Sequence, residues 1–170
     1  MTAKMCFRVL TVVAVSLFVT SARASEFDAA RLERHVATST FAHITRDPKL
    51  ADLPQEKVQT YAAVIANRGM ACFQSKTLNV SSQDKAIFQS ALLQYDDIFE
   101  IKDWGTRTLA LVDEEYGTSN ENRHCDMDEV PASRICRAML SAMVSGNLFV
   151  DLMRCLGGSL EIARTAAGLE

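Results

Sequence analysis

A predominantly apolar region from Val130 to Leu156, interrupted near its middle by Ser145-Gly146-Asn147, constrains the fold of this chain most. At 100° per residue, apolar residues on both sides of Gly146 share one direction, whereas Arg137, Ser141 and Asp151 fall opposite them. The residues that share this direction are Ile135, Met139, Ala142, Gly146, Phe149, Val150 and Met153. A hairpin broken at Gly146 would not require such agreement. We therefore predict one long helix, with Gly146 as a packing notch, and keep the hairpin as the alternative.

The predicted helix restricts how the cysteines can pair. Cys136 and Cys155 are 19 residues apart, about 28 Å along a continuous helix, and a disulfide needs a Cα separation below about 7 Å. The long helix therefore predicts the pairs Cys125–Cys136 and Cys72–Cys155. The hairpin predicts Cys136–Cys155 with Cys72–Cys125. By the chain-entropy model, each bridge contributes roughly 3–4 kcal/mol.

Helical periodicity also dominates the rest of the chain. The first predicted helix is capped at Ser25 and reaches Asp47-Pro48, and the second is capped at Asp52 and carries Cys72 near its end. The third continues from Ile87 to Phe99. After Trp104-Gly105 the chain either kinks or restarts as a short helix that ends at Gly117. The sequence thus predicts an all-α, single-domain helical bundle of about four to six helices, stabilised by two disulfides.

The N-terminal residues predict export. Lys4 and Arg8 precede an apolar run from Val9 to Val19, and the small-residue site Ala22-Arg23-Ala24 follows. This pattern is typical of a secretory signal peptide over residues 1–24, leaving residues 25–170 as the folded domain. The run is shorter than the roughly 20 residues of a membrane-spanning helix, and no other segment is expected to span a membrane. The four remaining cysteines suit an oxidising compartment, either the periplasm or the extracellular space.

Charge restricts the class of partner. Removal of residues 1–24 takes away three basic residues and no acidic one, leaving 15 basic against 21 acidic side chains. An acidic surface disfavours nucleic acid, whose phosphates need clustered lysine and arginine. Acidity instead favours a protein partner with a basic surface.

Few motifs point to catalysis or to a cofactor. Ser82-Gln83-Asp84-Lys85 matches S-x-x-K but lacks its companion motifs, and a serine that opens a helix is commonly a cap. The three histidines, at 35, 43 and 124, form no i, i+4 pair for a metal. We therefore assign no catalytic residue, no cofactor and no metal ligand. A nonstandard calcium site between Asp113 and Glu129 and a copper site at Met139 and Met143 remain alternatives.

The segment from Asp113 to Glu129 is the most unusual in composition, with seven carboxylates and one arginine. Its last acids are expected to precede a helix that starts near Pro131, where the helix dipole favours negative charge. Pinned by Cys125, the segment can also present its acids to a partner. Trp104, the single tryptophan, is either a core residue or an interface anchor. The candidate partner-binding residues are Glu121, Asp126, Asp128, Glu129 and Trp104.

Small size, predicted export and acidity favour a function in binding rather than catalysis. We predict a monomeric or homodimeric protein-binding factor, such as an inhibitor or an immunity-type protein. One alternative is a cofactor-independent hydrolase that uses dispersed carboxylates, because such pairs meet in space without a sequence signature. The other alternative is an envelope stress or assembly chaperone.

Overall fold

The computed structural model describes residues 26–48, 50, 53–126, 128 and 133–166. This part of the chain forms five helices and no strand. They are α1 (Ala29–Thr45), α2 (Gln55–Lys76), α3 (Ser82–Leu92), α4 (Trp104–Tyr116) and α5 (Arg134–Ala166). The all-α prediction is confirmed, and the helix count falls within the predicted range. The predicted signal peptide lies outside the described residues.

Helix α5 is the central element of the bundle. It runs for 33 residues, about 50 Å at 1.5 Å per residue, and packs mainly against α2 and α4, with α3 beside it. Helix α1 packs against α2. Because α5 continues through Gly146 without a break, the long helix is confirmed and the hairpin is wrong.

The face of α5 that enters the core differs from the predicted one. The deepest residues are Leu148, Leu152 and Leu156, and Ser141 and Ser145 are buried on the same side. Within the predicted stripe, Met139 and Val150 are instead 39% and 44% exposed. The helix is apolar on more than one side, so the neighbouring helices decide which side is buried.

Helix α1 begins later than predicted, because Asp28 rather than Ser25 is its cap. The Asp28 carboxylate accepts a hydrogen bond from the Arg31 N–H at 2.9 Å. The fully buried Gln89 side chain of α3 holds the Asp28 backbone at both polar atoms, donating to its carbonyl at 2.6 Å and accepting from its N–H at 2.8 Å. This amide therefore fixes the start of α1 on the bundle. Asp52, the predicted cap of α2, lies outside the described residues.

Helix α3 ends at Leu92, seven residues before the predicted end at Phe99. Ile98 is fully buried, but it reaches the core from a loop. Its N–H donates to the buried Ser39 hydroxyl of α1 at 2.9 Å. Buried loop residues produced an apolar spacing that looked helical. The chain then restarts at Trp104, and α4 ends at Gly117, which has the left-handed φ of 68°.

The disulfides join Cys72 to Cys155 and Cys125 to Cys136, with Cα separations of 5.7 and 4.8 Å. This is the pairing that the long helix predicts. One turn from Cys72, Gly69 is the close-packing position between α2 and α5, since a Cβ there would lie 2.4 Å from Leu156 Cδ2. A Cβ at Gly146 would meet no atom within 4 Å. The packing notch predicted at Gly146 is therefore wrong, and Gly69 has that role.

We expect Gly69→Ala to lower the free energy of unfolding by about 1–3 kcal/mol, because the added methyl group overpacks the α2–α5 contact. Gly158→Ala is the matched control, since it has open space around it in the interior of α5. There the higher helix propensity of alanine should raise the stability by about 0.5–1 kcal/mol. Urea unfolding followed by circular dichroism measures both changes. Equal effects of the two substitutions would contradict the close-packing role of Gly69.

By length and apolar composition alone, Arg134–Thr165 of α5 could also cross a membrane. This contradicts the expectation that no segment beyond the signal peptide could do so. The core helix of a bundle can have the same composition. Here α5 buries Leu148, Leu152 and Leu156, and a disulfide joins it to α2. Length and composition of α5 are therefore no sufficient sign of a membrane span.

Candidate functional site

The acidic segment begins at the last turn of α4. The Gly117 N–H donates to the Asp113 carbonyl, and the left-handed glycine turns the chain away from the helix axis. Asp113 itself is buried, and its carboxylate accepts from the Thr118 hydroxyl at 2.9 Å and forms an ion pair with Arg123. The first acid of the segment therefore holds the fold of the loop and is not presented to solvent.

Glu121 has a similar internal role. Its carboxylate forms an ion pair with Arg134, the first residue of α5. Its side chain is about one-third exposed, so a partner would have to compete with Arg134 for it. Among the predicted partner-binding residues, Glu121 is thus partly neutralised within the chain.

Asp126 and Asp128 are exposed acids in the loop that follows α4. Cys125 is joined to Cys136 in the first turn of α5, and the Asp126 carbonyl oxygen lies 3.4 Å from Cys136 Sγ. The Asp126 carboxylate accepts from the Asp128 N–H at 3.1 Å. Neither carboxylate forms an ion pair with another described residue. The disulfide therefore presents two negative charges next to the start of α5.

Asp126 and Asp128 precede α5, as predicted, but they lie further from its first turn than a helix start near Pro131 would place them. The helix begins at Arg134, and the Ser133 hydroxyl accepts from the Cys136 N–H at 3.5 Å. Asp126 and Asp128 precede Arg134 by six residues or more, and a dipole effect is confined to the first turn. Glu129 and Pro131 lie outside the described residues.

Trp104 is a core residue, which corrects its selection as a candidate partner-binding residue. The indole is 8% exposed and stacks on Phe149 with the ring centroids 4.6 Å apart. Phe88 and Tyr95 complete the aromatic cluster around it. An interface anchor must be accessible to the partner, and this side chain is covered by its own chain.

The weak S-x-x-K match has a structural explanation. Ser81, not Ser82, caps α3 by accepting from the Asp84 N–H at 3.1 Å. The Lys85 ammonium lies over the Phe27 ring, 5.9 Å from its centroid, and thus interacts with an aromatic face.

Among the described residues, no group of three or more histidine, cysteine or acidic side chains could hold a metal ion.

Two open grooves flank α4. One groove includes residues from the start of the acidic segment, and its lining residues are Thr106, Leu109, Ala110, Asp113, Glu114, Ser119 and Arg123.

The other groove lies beside Tyr95. The Tyr95 hydroxyl donates to the Asp103 carboxylate at 2.8 Å, and the Arg107 guanidinium lies over the Tyr95 ring. Burial, followed by the Asp103 hydrogen bond, raises the pKa of Tyr95 to about 12. The phenol therefore stays protonated well above neutral pH and keeps its hydrogen bond to Asp103.

The sequence analysis did not identify these grooves. The first combines one face of α4 with Ser119 and Arg123 of the following loop, and the second is lined by residues of the loop between α3 and α4. The acidic composition of residues 113–129 was the one signal near the first groove. Comparison of the chain with protein-family models, with curated proteins and with solved structures found no match.

Proposed function

We propose that the protein is exported and acts by binding another protein, as an inhibitor or immunity-type factor does. The observation that supports this proposal most is the loop around Cys125. It exposes Asp126 and Asp128 and is pinned to α5 by a disulfide. A loop held in place in the free protein loses little conformational entropy on binding, and paired charges increase the association rate. The two disulfides are compatible with an oxidising compartment.

The chemistry of the loop suggests the partner surface. Glu114 is exposed and lines the groove on α4, so this groove carries a negative charge in addition to the exposed Asp126 and Asp128 of the loop. A complementary surface carries lysine or arginine, whose potential guides the encounter. The proposed partner is therefore a protein with a basic patch.

The test begins with the protein immobilised and exposed to periplasmic or secreted proteins of its source organism. We expect a partner to be retained in one-to-one stoichiometry, with an affinity that falls as salt rises. With the purified partner, the double variant Asp126→Asn and Asp128→Asn should bind about three- to tenfold more weakly, mainly through slower association. Binding kinetics at two salt concentrations measure both effects.

A matched control replaces two exposed acids elsewhere, Glu33→Gln in α1 and Glu56→Gln in α2. This control changes the net charge equally and should leave the association rate within about twofold. A partner whose affinity ignores salt, or an equal loss with both double variants, would remove the loop as the binding surface.

A further inference from the structure

An exposed seam runs along α5 on the side opposite the core. Its residues recur at alternating spacings of three and four, the repeat by which two helices pack side by side. Two of them, Leu140 and Met143, are 51% and 67% exposed, and Val150 is 44% exposed. We call this set the α5 seam: Leu140, Met143, Asn147, Val150 and Arg154.

The apolar residues of the α5 seam belong to none of the hydrophobic clusters among the described residues. Large apolar side chains at regular helical spacing are normally covered, and a row of them indicates an interaction surface. Gly146, which borders the seam, also has open space where a side chain would be. Glycine weakens the interior of a helix, so its place here is unexplained by packing within one chain. A small residue beside a seam lets a second helix approach closely.

The order of residues along the seam favours a second copy of the same chain. When two α5 helices run antiparallel and cross near Gly146, Leu140 faces Val150 of the second copy and Met143 faces its Asn147. The two-fold axis repeats both layers, as an isologous interface requires. In antiparallel pairing, each large apolar residue of the seam therefore contacts a seam residue of the second copy. The polar Asn147 helps to fix the register of the two helices.

The charges at the two ends fit the same register. Arg154 is exposed and forms no ion pair with another described residue. In the antiparallel arrangement it reaches the level of Cys136 in the second copy, where the disulfide holds Asp126 and Asp128. Each guanidinium therefore meets the acidic loop of the other copy. Two such contacts occur in each dimer.

We propose that two copies of this chain associate through antiparallel α5 seams, with Arg154 of each copy against the acidic loop of the other. Four side-chain layers and two loops make an interface at the small end of specific complexes, so we expect a dimer that dissociates in the micromolar range. This inference goes beyond the proposed function. A basic partner that binds Asp126 and Asp128 would compete with dimer formation.

The test is sedimentation equilibrium of the purified protein alone, and its outcome does not depend on whether the basic partner exists. We expect a concentration-dependent mixture of monomer and dimer at low salt. Met143→Glu should weaken dimerisation at least tenfold, because it places two carboxylates in the apolar layers. Leu78→Glu is the matched control, since Leu78 is 77% exposed in the turn after α2 and lies off the seam. It should leave the dimer unchanged.

A charge exchange tests the register. Arg154→Glu should weaken the dimer severalfold, and Asp126→Lys with Asp128→Lys in the same chain should restore it. All of these positions are exposed, so the variants should fold, and circular dichroism verifies this. A monomer at every concentration up to about 500 μM would overturn the proposal, since even weak specific interfaces associate at that level. A dimer insensitive to Met143→Glu would overturn it as well.

Discussion

Replacing Cys72 and Cys155 together by alanine is expected to lower the free energy of unfolding by about 4.5 kcal/mol. This bridge spans 83 residues of sequence, so its loss restores much conformational freedom to the unfolded chain. In the folded state it ties α2 to α5 beside the Gly69–Leu156 contact. Urea unfolding followed by circular dichroism gives the value. It is a large share of the 5–15 kcal/mol that stabilises most domains.

The double variant Cys125→Ala and Cys136→Ala is the matched control. That bridge spans only 11 residues, and the same entropy estimate gives about 3 kcal/mol. The control should also free Asp126 and Asp128 from their position near α5. A loss at Cys72–Cys155 no greater than the loss at Cys125–Cys136 would contradict the structural importance of the longer bridge.

Trp104→Ala is expected to cost about 3–5 kcal/mol of stability, because truncating a buried indole leaves a cavity among packed rings. Phe88, Tyr95 and Phe149 all contact this side chain. The change removes the single tryptophan, so unfolding should be followed by circular dichroism rather than by fluorescence.

Trp104→Phe separates packing from polar effects. The indole N–H of Trp104 is buried and has no hydrogen-bond partner among the described residues. Phenylalanine keeps the aromatic contacts and removes this unsatisfied donor, so the loss should be below about 1.5 kcal/mol. If Trp104→Ala left stability unchanged and weakened partner binding, Trp104 would be an interface anchor after all.

The predictions that succeeded rest on distances along one helix. A continuous helix separates Cys136 from Cys155 by about 28 Å whatever surrounds it. The exclusion of one disulfide therefore needed no knowledge of the tertiary structure. The same reasoning fixed Cys125 to Cys136 across a short loop.

The predictions that failed depend on neighbours. The apolar periodicity predicted that α3 continues to Phe99, because periodicity does not distinguish a buried loop residue such as Ile98 from a residue on a helix face. The packing notch was placed at Gly146, which sits in the apolar stripe of its own helix. The close-packing position is instead Gly69, whose role depends on Leu156 of another helix.

Only part of the candidate site was accessible from the sequence. Composition indicated an acidic segment, and the cysteines indicated that it is pinned. Two arginines form ion pairs with acids of the segment, since Arg123 neutralises Asp113 and Arg134 neutralises Glu121. Arg123 is ten residues from Asp113, and Arg134 is thirteen residues from Glu121. Neither separation is a helical spacing that would predict an ion pair.

The sequence by itself predicted an all-α chain, and it favoured one long helix over a hairpin together with the disulfide pairing that this helix allows. These follow from local geometry, because the rise per residue and the apolar period are properties of a single segment. The tertiary structure alone decided which side of α5 faces the core and which acids of the loop remain exposed. Burial is a relation between segments: α5 is apolar on several sides, and the packing of α2, α3 and α4 selects among them.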